Sequence, residues 1–124
     1  MKKTVKKILS IQWKPKSGNW SKDPLDEVLV IRYLNNNGIL MTKTQDAYLI
    51  DDLLEYGEEY IEGIEEGFKN GDFTIIDFLI EIFMAVKTLT TYNNKRFIDD
   101  FEDHNLRSKL YRLEHKYFKD LMEI

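Results

Sequence analysis

Apolar and polar residues alternate from Ile8 to Lys14, with Leu9, Ile11 and Trp13 set between Ser10, Gln12 and Lys14. A period of two belongs to a strand with one buried face, so the first element predicted is a β-strand. The stretch from Pro15 to Pro24 is rich in turn formers, and neither proline fits a central strand, which marks it as a loop. Val28-Leu29-Val30-Ile31-Arg32-Tyr33-Leu34 is β-branched and aromatic, and an extended pattern resumes from Ile39 to Thr44. Between them Asn35-Asn36-Asn37-Gly38 supplies residues that tolerate the left-handed backbone of a tight turn, so the pair predicts a β-hairpin.

The period then lengthens. Leu49, Leu53, Tyr56, Tyr60 and Ile64 recur at three- and four-residue steps, which predicts a helix from Asp46 onward. At 100° per residue Asp51, Glu55, Glu58, Glu62 and Glu65 fall within about 40° of one line, opposite that apolar face. Gly57, Gly63 and Gly67 would each cost roughly 1 kcal/mol relative to alanine inside a helix. They predict a break near Gly57 and a close approach by a neighbouring helix at Gly63 and Gly67. Thr74, three residues before Asp77, offers the start of a second helix running to about Thr90. Apolar residues surround it except for a narrow stripe of Asp77, Glu81 and Thr88, as expected of a buried central helix. Tyr92-Asn93-Asn94 closes it. The last thirty residues again have a helical period, with Phe97 and Phe101 ahead of an interruption at Asp103-His104-Asn105, then a stripe of Leu106, Leu110, Leu113, Tyr117 and Leu121. The expected fold is α+β: an N-terminal three-stranded antiparallel sheet packed against about three C-terminal helices.

A length of 124 residues is that of a single domain, 1–124. Apolar residues at 43% and charged residues at 32% place the chain among folded soluble proteins. The absence of cysteine excludes disulfides, thiolate zinc sites and cysteine nucleophiles. The most apolar stretch, Phe78 to Val86, is too short to cross a bilayer and contains Glu81, so no membrane partner is expected. The lysine-rich N-terminus lacks the uninterrupted apolar core of a signal peptide, which makes a cytoplasmic protein the expectation. Asn19-Trp20-Ser21 matches a glycosylation triplet, with nothing else to indicate secretion.

The net charge of −4 conceals a segregation. Residues 1 to 22 carry seven lysines and no acid, whereas residues 46 to 81 carry twelve acids against the single Lys69. The acidic helix is therefore the leading candidate for function. Carboxylates at i, i+4, i+7, i+11 and i+14 line up over roughly 21 Å, a spacing that imitates a nucleic-acid backbone or meets a basic groove. A plainer interpretation is a solvated face that keeps the protein soluble. Against it stands the lack of interleaved lysines from Asp46 to Phe68.

Other chemistry is weaker. Asp77 and Glu81 sit one turn apart on an apolar helix, but an acid pair or metal site there lacks further carboxylates or histidines at matching spacing, so each is expected to face solvent or a lysine. His104 and His115 have no partner at ligand spacing and have acids within helical reach, which points to surface ion pairs. No phosphate-binding glycine loop or nucleophile elbow is present. The N-terminal lysines near Trp13 and Trp20 have the composition of a nucleic-acid patch, yet lysines on an edge strand also block edge-to-edge association. Trp20 is either an interface anchor or a lid on the sheet.

The expectation is thus a non-enzymatic binding module with no cofactor, no metal and no catalytic residue. Its partner is a basic protein surface, for example a nucleic-acid-binding enzyme or toxin, met by Asp51, Glu55, Glu58, Glu59, Glu62, Glu65, Glu66 and Trp20. Inhibitors, immunity proteins and nucleic-acid mimics work in this way. The alternative is an assembly protein forming a homodimer through the C-terminal stripe.

Overall fold

The computed structural model describes residues 5 to 122, so Lys2 and Lys3 of the basic run lie outside the described residues. The chain divides into two compact units. Residues 5–47 and 118–122 belong to one, and Tyr48–Tyr117 form the other.

The first unit holds the expected three-stranded antiparallel sheet, β1 (Val5–Pro15), β2 (Glu27–Asn35) and β3 (Leu40–Asp46), in the order β1-β2-β3. The hairpin turn is built locally. Asn35 Oδ1 accepts the N–H groups of Asn37 (2.9 Å) and Ile39 (3.0 Å), and Gly38 takes φ 75°, which a side chain would resist. Strand β1 departs from its simple alternation. Its register against β2 shifts between Ile8 and Ser10, and the extra residue, Leu9, turns outward to 44% exposure while Ile8 is buried. A bulge of one residue reverses the phase of what precedes it, which buries Ile8 in place of Leu9, and a second shift between Val5 and Lys7 reverses it again, so that Val5 joins Ile8 in the apolar set. Ile8 also anchors the far end of the chain. Its N–H donates to Leu121 O at 2.7 Å and it forms a parallel bridge with Met122. Leu121, expected on the last helix, is thus a buried member of the sheet unit.

The second unit contains α1 (Asp51–Tyr56), α2 (Glu58–Lys69), α3 (Ile75–Asn94) and most of α4 (Asp100–Phe118), four helices of which three are long. The first begins at Asp51 rather than Asp46, because Asp46 still pairs with Val28 in the sheet. The break expected near Gly57 is present. Gly57 adopts φ 55° and ψ −121°, a conformation readily open only to glycine. Gly63 and Gly67 serve no helix approach. A Cβ on Gly67 would lie 2.8 Å from the Phe73 ring, which comes from the following turn, and nothing lies within 4 Å of one on Gly63. Opposite outcomes are therefore expected from one substitution: Gly57→Ala lowers stability by about 1–3 kcal/mol, whereas Gly63→Ala raises it by about 0.5–1 kcal/mol. Urea unfolding of the two variants measures both.

Thr74 caps α3 by accepting the Asp77 N–H at 3.2 Å, as its position in the sequence implied. The helix runs one turn past Thr90, to Asn94, with most of its circumference buried. Asp103-His104-Asn105 does not interrupt α4. Asp99 Oδ1 accepts the Glu102 N–H at 2.7 Å, and the polar triplet forms the helix's first turns.

Candidate functional site

The glycine hinge divides the acidic segment between the short α1 and the longer α2, and the acids then separate by what surrounds them. On α2, Ile61, Ile64 and Phe68 are buried and set the inner face. Glu58, Glu62 and Glu65 occupy one flank of it. There α4 supplies two lysines seven residues apart: Lys109 Nζ lies 3.1 Å from Glu58 Oε2 and 3.4 Å from Glu62 Oε1, and Lys116 Nζ lies 2.9 Å from Glu65 Oε2. Lys69 adds a longer contact of 3.8 Å to Glu65, and the Tyr117 hydroxyl donates to the same oxygen. Burial on its own would raise the Glu65 carboxyl, but the Tyr117 hydroxyl and Lys116 outweigh it and hold the group below its ordinary value. The two lysines move the other way, Lys109 raised chiefly by its hydrogen bond to Glu58 and Lys116 by its bond to Glu65.

The expected stripe is thus partly answered from within the helical unit. Asp51 is also engaged, by the Tyr92 hydroxyl. Asp52, Glu55, Glu59 and Glu66 remain exposed, and no ion pair among the described residues reaches them. Beside Glu59 the surface dips. Because Gly63 has no side chain, Tyr56, Tyr60 and Ile64 border a shallow depression of about 340 Å³ with Glu59 on its rim. Tyr56 is itself half exposed.

The polar stripe of α3 has a different task from either expectation for it. Glu81 accepts hydrogen bonds from the hydroxyls of Tyr48 at 2.7 Å and Tyr60 at 3.0 Å, and Thr88 Oγ1 accepts the Ile50 N–H at 3.0 Å while donating to Met84 O. The N-cap of α1 has no side-chain cap of its own, so Thr88 supplies the acceptor from another helix. The stripe thereby moors the segment 48–60 that carries the acids. Glu81 consequently faces tyrosines rather than solvent or a lysine.

The histidines do not form the surface pairs anticipated. Both are exposed, Asp103 binds Arg107 instead at 3.1 Å, and neither imidazole has an ion pair among the described residues. Among the described residues no three His, Asp or Glu side chains converge as metal ligands would. Trp20 does not fold onto the sheet as a lid. It stands 66% exposed in the loop between β1 and β2, which Ser17, Ser21 and Asp23 fasten through local hydrogen bonds. The C-terminal stripe is also engaged internally, with Leu106, Leu110 and Leu113 buried within the single chain. This removes the apolar surface on which a dimer through that helix would depend.

Lys109 and Lys116 join the acids here without having stood out in the sequence, and Tyr117, expected only as part of the apolar stripe, joins them through its hydroxyl. A signal for them exists: lysines at i and i+7 flank the apolar stripe of α4, matching glutamates at i, i+4 and i+7 on α2. No described helix is long and apolar enough to cross a membrane. Comparison with protein-family models, curated proteins and solved structures finds no match to this chain.

Proposed function

We propose that this protein is a non-enzymatic binding module of the cytoplasm that presents the α1–α2 surface to a basic site on a partner protein, in the manner of an inhibitor, immunity protein or nucleic-acid mimic. The observation carrying this is the group Asp52, Glu55, Glu59 and Glu66 on α1 and α2, four exposed carboxylates that no ion pair among the described residues reaches, with Glu59 on the rim of an apolar depression. A lysine or arginine suits that combination, because its aliphatic stem covers apolar surface while its charge reaches a carboxylate on the rim. Glu58, Glu62 and Glu65 contribute in a second rank. Exposed ion pairs are weak and screened by salt, so a partner's cations can exchange with Lys109 at Glu58 and Glu62 at little cost, whereas Glu65, part-buried and also held by Tyr117, releases Lys116 less readily. Asp51 supports the surface through Tyr92, and Trp20 offers a separate aromatic anchor on the sheet unit.

Immobilised protein exposed to cell lysate at about 50 mM salt, where the screening length is over 10 Å, is expected to retain a basic protein. The triple variant Glu55→Lys, Glu59→Lys, Glu66→Lys should lose it, with thermal unfolding changed by no more than about 0.5 kcal/mol. Equal retention by the variant would exclude this surface. Gly63→Ala, expected above to stabilise, fills the depression and should weaken the same interaction.

A further inference from the structure

The two outer edges of the sheet are treated differently. Strand β1 carries Lys6, Lys7 and Lys14, contains a bulge, and is bridged at Ile8 by the C-terminal segment, all of which obstruct pairing with another strand. Strand β3 has only one of these devices, a single lysine. It pairs with β2 without a register shift, contains no proline and has one charge, Lys43, between Leu40 and Gln45. Residues 40 to 44 are all exposed.

The ladder fixes which backbone groups of β3 are unused. Asn35 N–H donates to Ile39 O at 3.0 Å, and Ala47 N–H donates to Glu27 O at 2.9 Å. Hydrogen-bonded positions alternate in an antiparallel pair, so Met41, Lys43 and Gln45 also face β2, whereas Leu40, Thr42 and Thr44 point their N–H and C=O groups away from the sheet. No hydrogen bond among the described residues reaches those outward groups. Asp46, next in the outward series, already uses its carbonyl for the Gln45 amide at 3.2 Å and its carboxylate for Lys16 at 3.1 Å.

Three outward residues at alternate positions define an antiparallel template with its own symmetry. Pairing the edge with itself about Thr42 sets Thr42 against Thr42 and Leu40 against Thr44 as hydrogen-bonded pairs, and Met41 against Lys43 between them. Of the two neighbouring symmetric registers, the one about Lys43 would set Lys43 opposite Lys43, and like charges directly opposed are destabilising, while the one about Met41 would pair only Leu40 with Thr42, using two outward pairs instead of three. We propose that β3 pairs antiparallel with β3 of a second copy of this chain about a two-fold axis at Thr42, joining two three-stranded sheets into one of six strands. The contact is isologous and closes on itself, giving dimers and not fibres. Its short length makes it a transient association. It rests on the sheet unit alone and is independent of the acidic surface.

The chain has no cysteine, so a single introduced thiol reports the pairing. Thr42→Cys is expected to form an intermolecular disulfide at least about 10-fold faster than Thr44→Cys, which keeps Lys43 and faces Leu40, because the Cα atoms of a hydrogen-bonded antiparallel pair lie about 5.5 Å apart, within disulfide reach. Sedimentation of the unmodified protein up to roughly 1 mM, which detects dissociation constants as weak as about 1 mM, should show a monomer–dimer equilibrium. Thr42→Pro removes an outward donor that β2 does not use, and Thr42→Lys opposes two charges on the axis. Each should weaken dimerisation about 10-fold or more, and the second keeps the test decisive if the proline variant fails to fold. A wild-type monomer throughout, equal crosslinking of the two cysteine variants, or a dimer indifferent to Thr42→Lys would overturn the proposal.

Discussion

Phe78→Ala is expected to destabilise the helical unit by about 3–5 kcal/mol and to lower its melting temperature by more than roughly 10 °C. Phe78 is fully buried on α3 and stacks on Phe68 of α2 with ring centres 4.7 Å apart. It meets the Tyr117 ring of α4 edge-on at 5.2 Å and lies 6.3 Å from Phe73. Three helices therefore share one ring, and its removal leaves a cavity that none of them can close without the others moving. Tyr117 is also the residue whose hydroxyl holds Glu65, so the seam between α2 and α4 should loosen with the core. Urea unfolding measures the loss. A change below about 1 kcal/mol would mean that the aromatic cluster does not organise this unit.

Removing the acceptor at the centre of the α3 stripe should have the next largest effect. Glu81→Ala leaves the part-buried hydroxyls of Tyr48 and Tyr60 without their shared carboxylate, at an expected cost of about 2–4 kcal/mol. Tyr48→Phe and Tyr60→Phe, which remove a donor and leave the acceptor another partner, should each cost only about 1 kcal/mol. The same cluster sets a pH dependence. Burial first, and then the charge and hydrogen bond of Glu81, push both tyrosine hydroxyls well above their ordinary value of 10.0. A group whose folded pKa exceeds its unfolded one contributes stability that is complete below the unfolded value, so this contribution is intact at neutral pH. It is lost as pH rises past about 10 toward the folded values, where only the unfolded chain gives up the protons. Unfolding free energy should fall steeply above that point, with tyrosinate absorbance from these two residues appearing only on unfolding. Glu81→Ala should flatten the fall in part, because burial persists. A wild-type protein equally stable on both sides of that range would contradict the cluster.

How much of this was legible in the sequence depended on the range of the interactions involved. The hairpin could be read because Asn35 makes its turn from groups two and four residues away, and the hinge because Gly57 alone at that point tolerates its backbone angles. The Thr74 cap is equally local. The phase of β1 was not legible, since a bulge at Leu9 is a matter of register against β2 and leaves no mark in the alternation itself. Asp103-His104-Asn105 resembles a break because its residues favour caps and turns, and in the structure they sit just inside a capped N-terminus where such residues are tolerated. The acidic surface was half legible. Periodicity placed its carboxylates on one side of a helix, but Lys109 lies 47 residues from Glu62 and Lys116 lies 51 from Glu65, and nothing in a helical wheel reports a partner at that distance. The same holds for Tyr48 and Glu81, 33 residues apart, whose contact explains the polar stripe on α3.

These pairings alter what the surface is able to do. A bare row of five carboxylates would attract any cation along its length. With Glu58, Glu62 and Glu65 held by α4, the unmatched charge is left at Asp52, Glu55, Glu66 and at Glu59 beside the depression at Gly63, an arrangement more selective for a partner than a bare row of charge would be.

The affinity of the retained partner as a function of ionic strength bears on this most directly, measured by calorimetry from about 50 to 500 mM salt, over which the screening length falls severalfold. An encounter between exposed carboxylates and a basic site should weaken by at least about 10-fold across that range, through slower association. An affinity that stays constant, with association equally fast at both ends, would contradict the acidic surface as the site of binding.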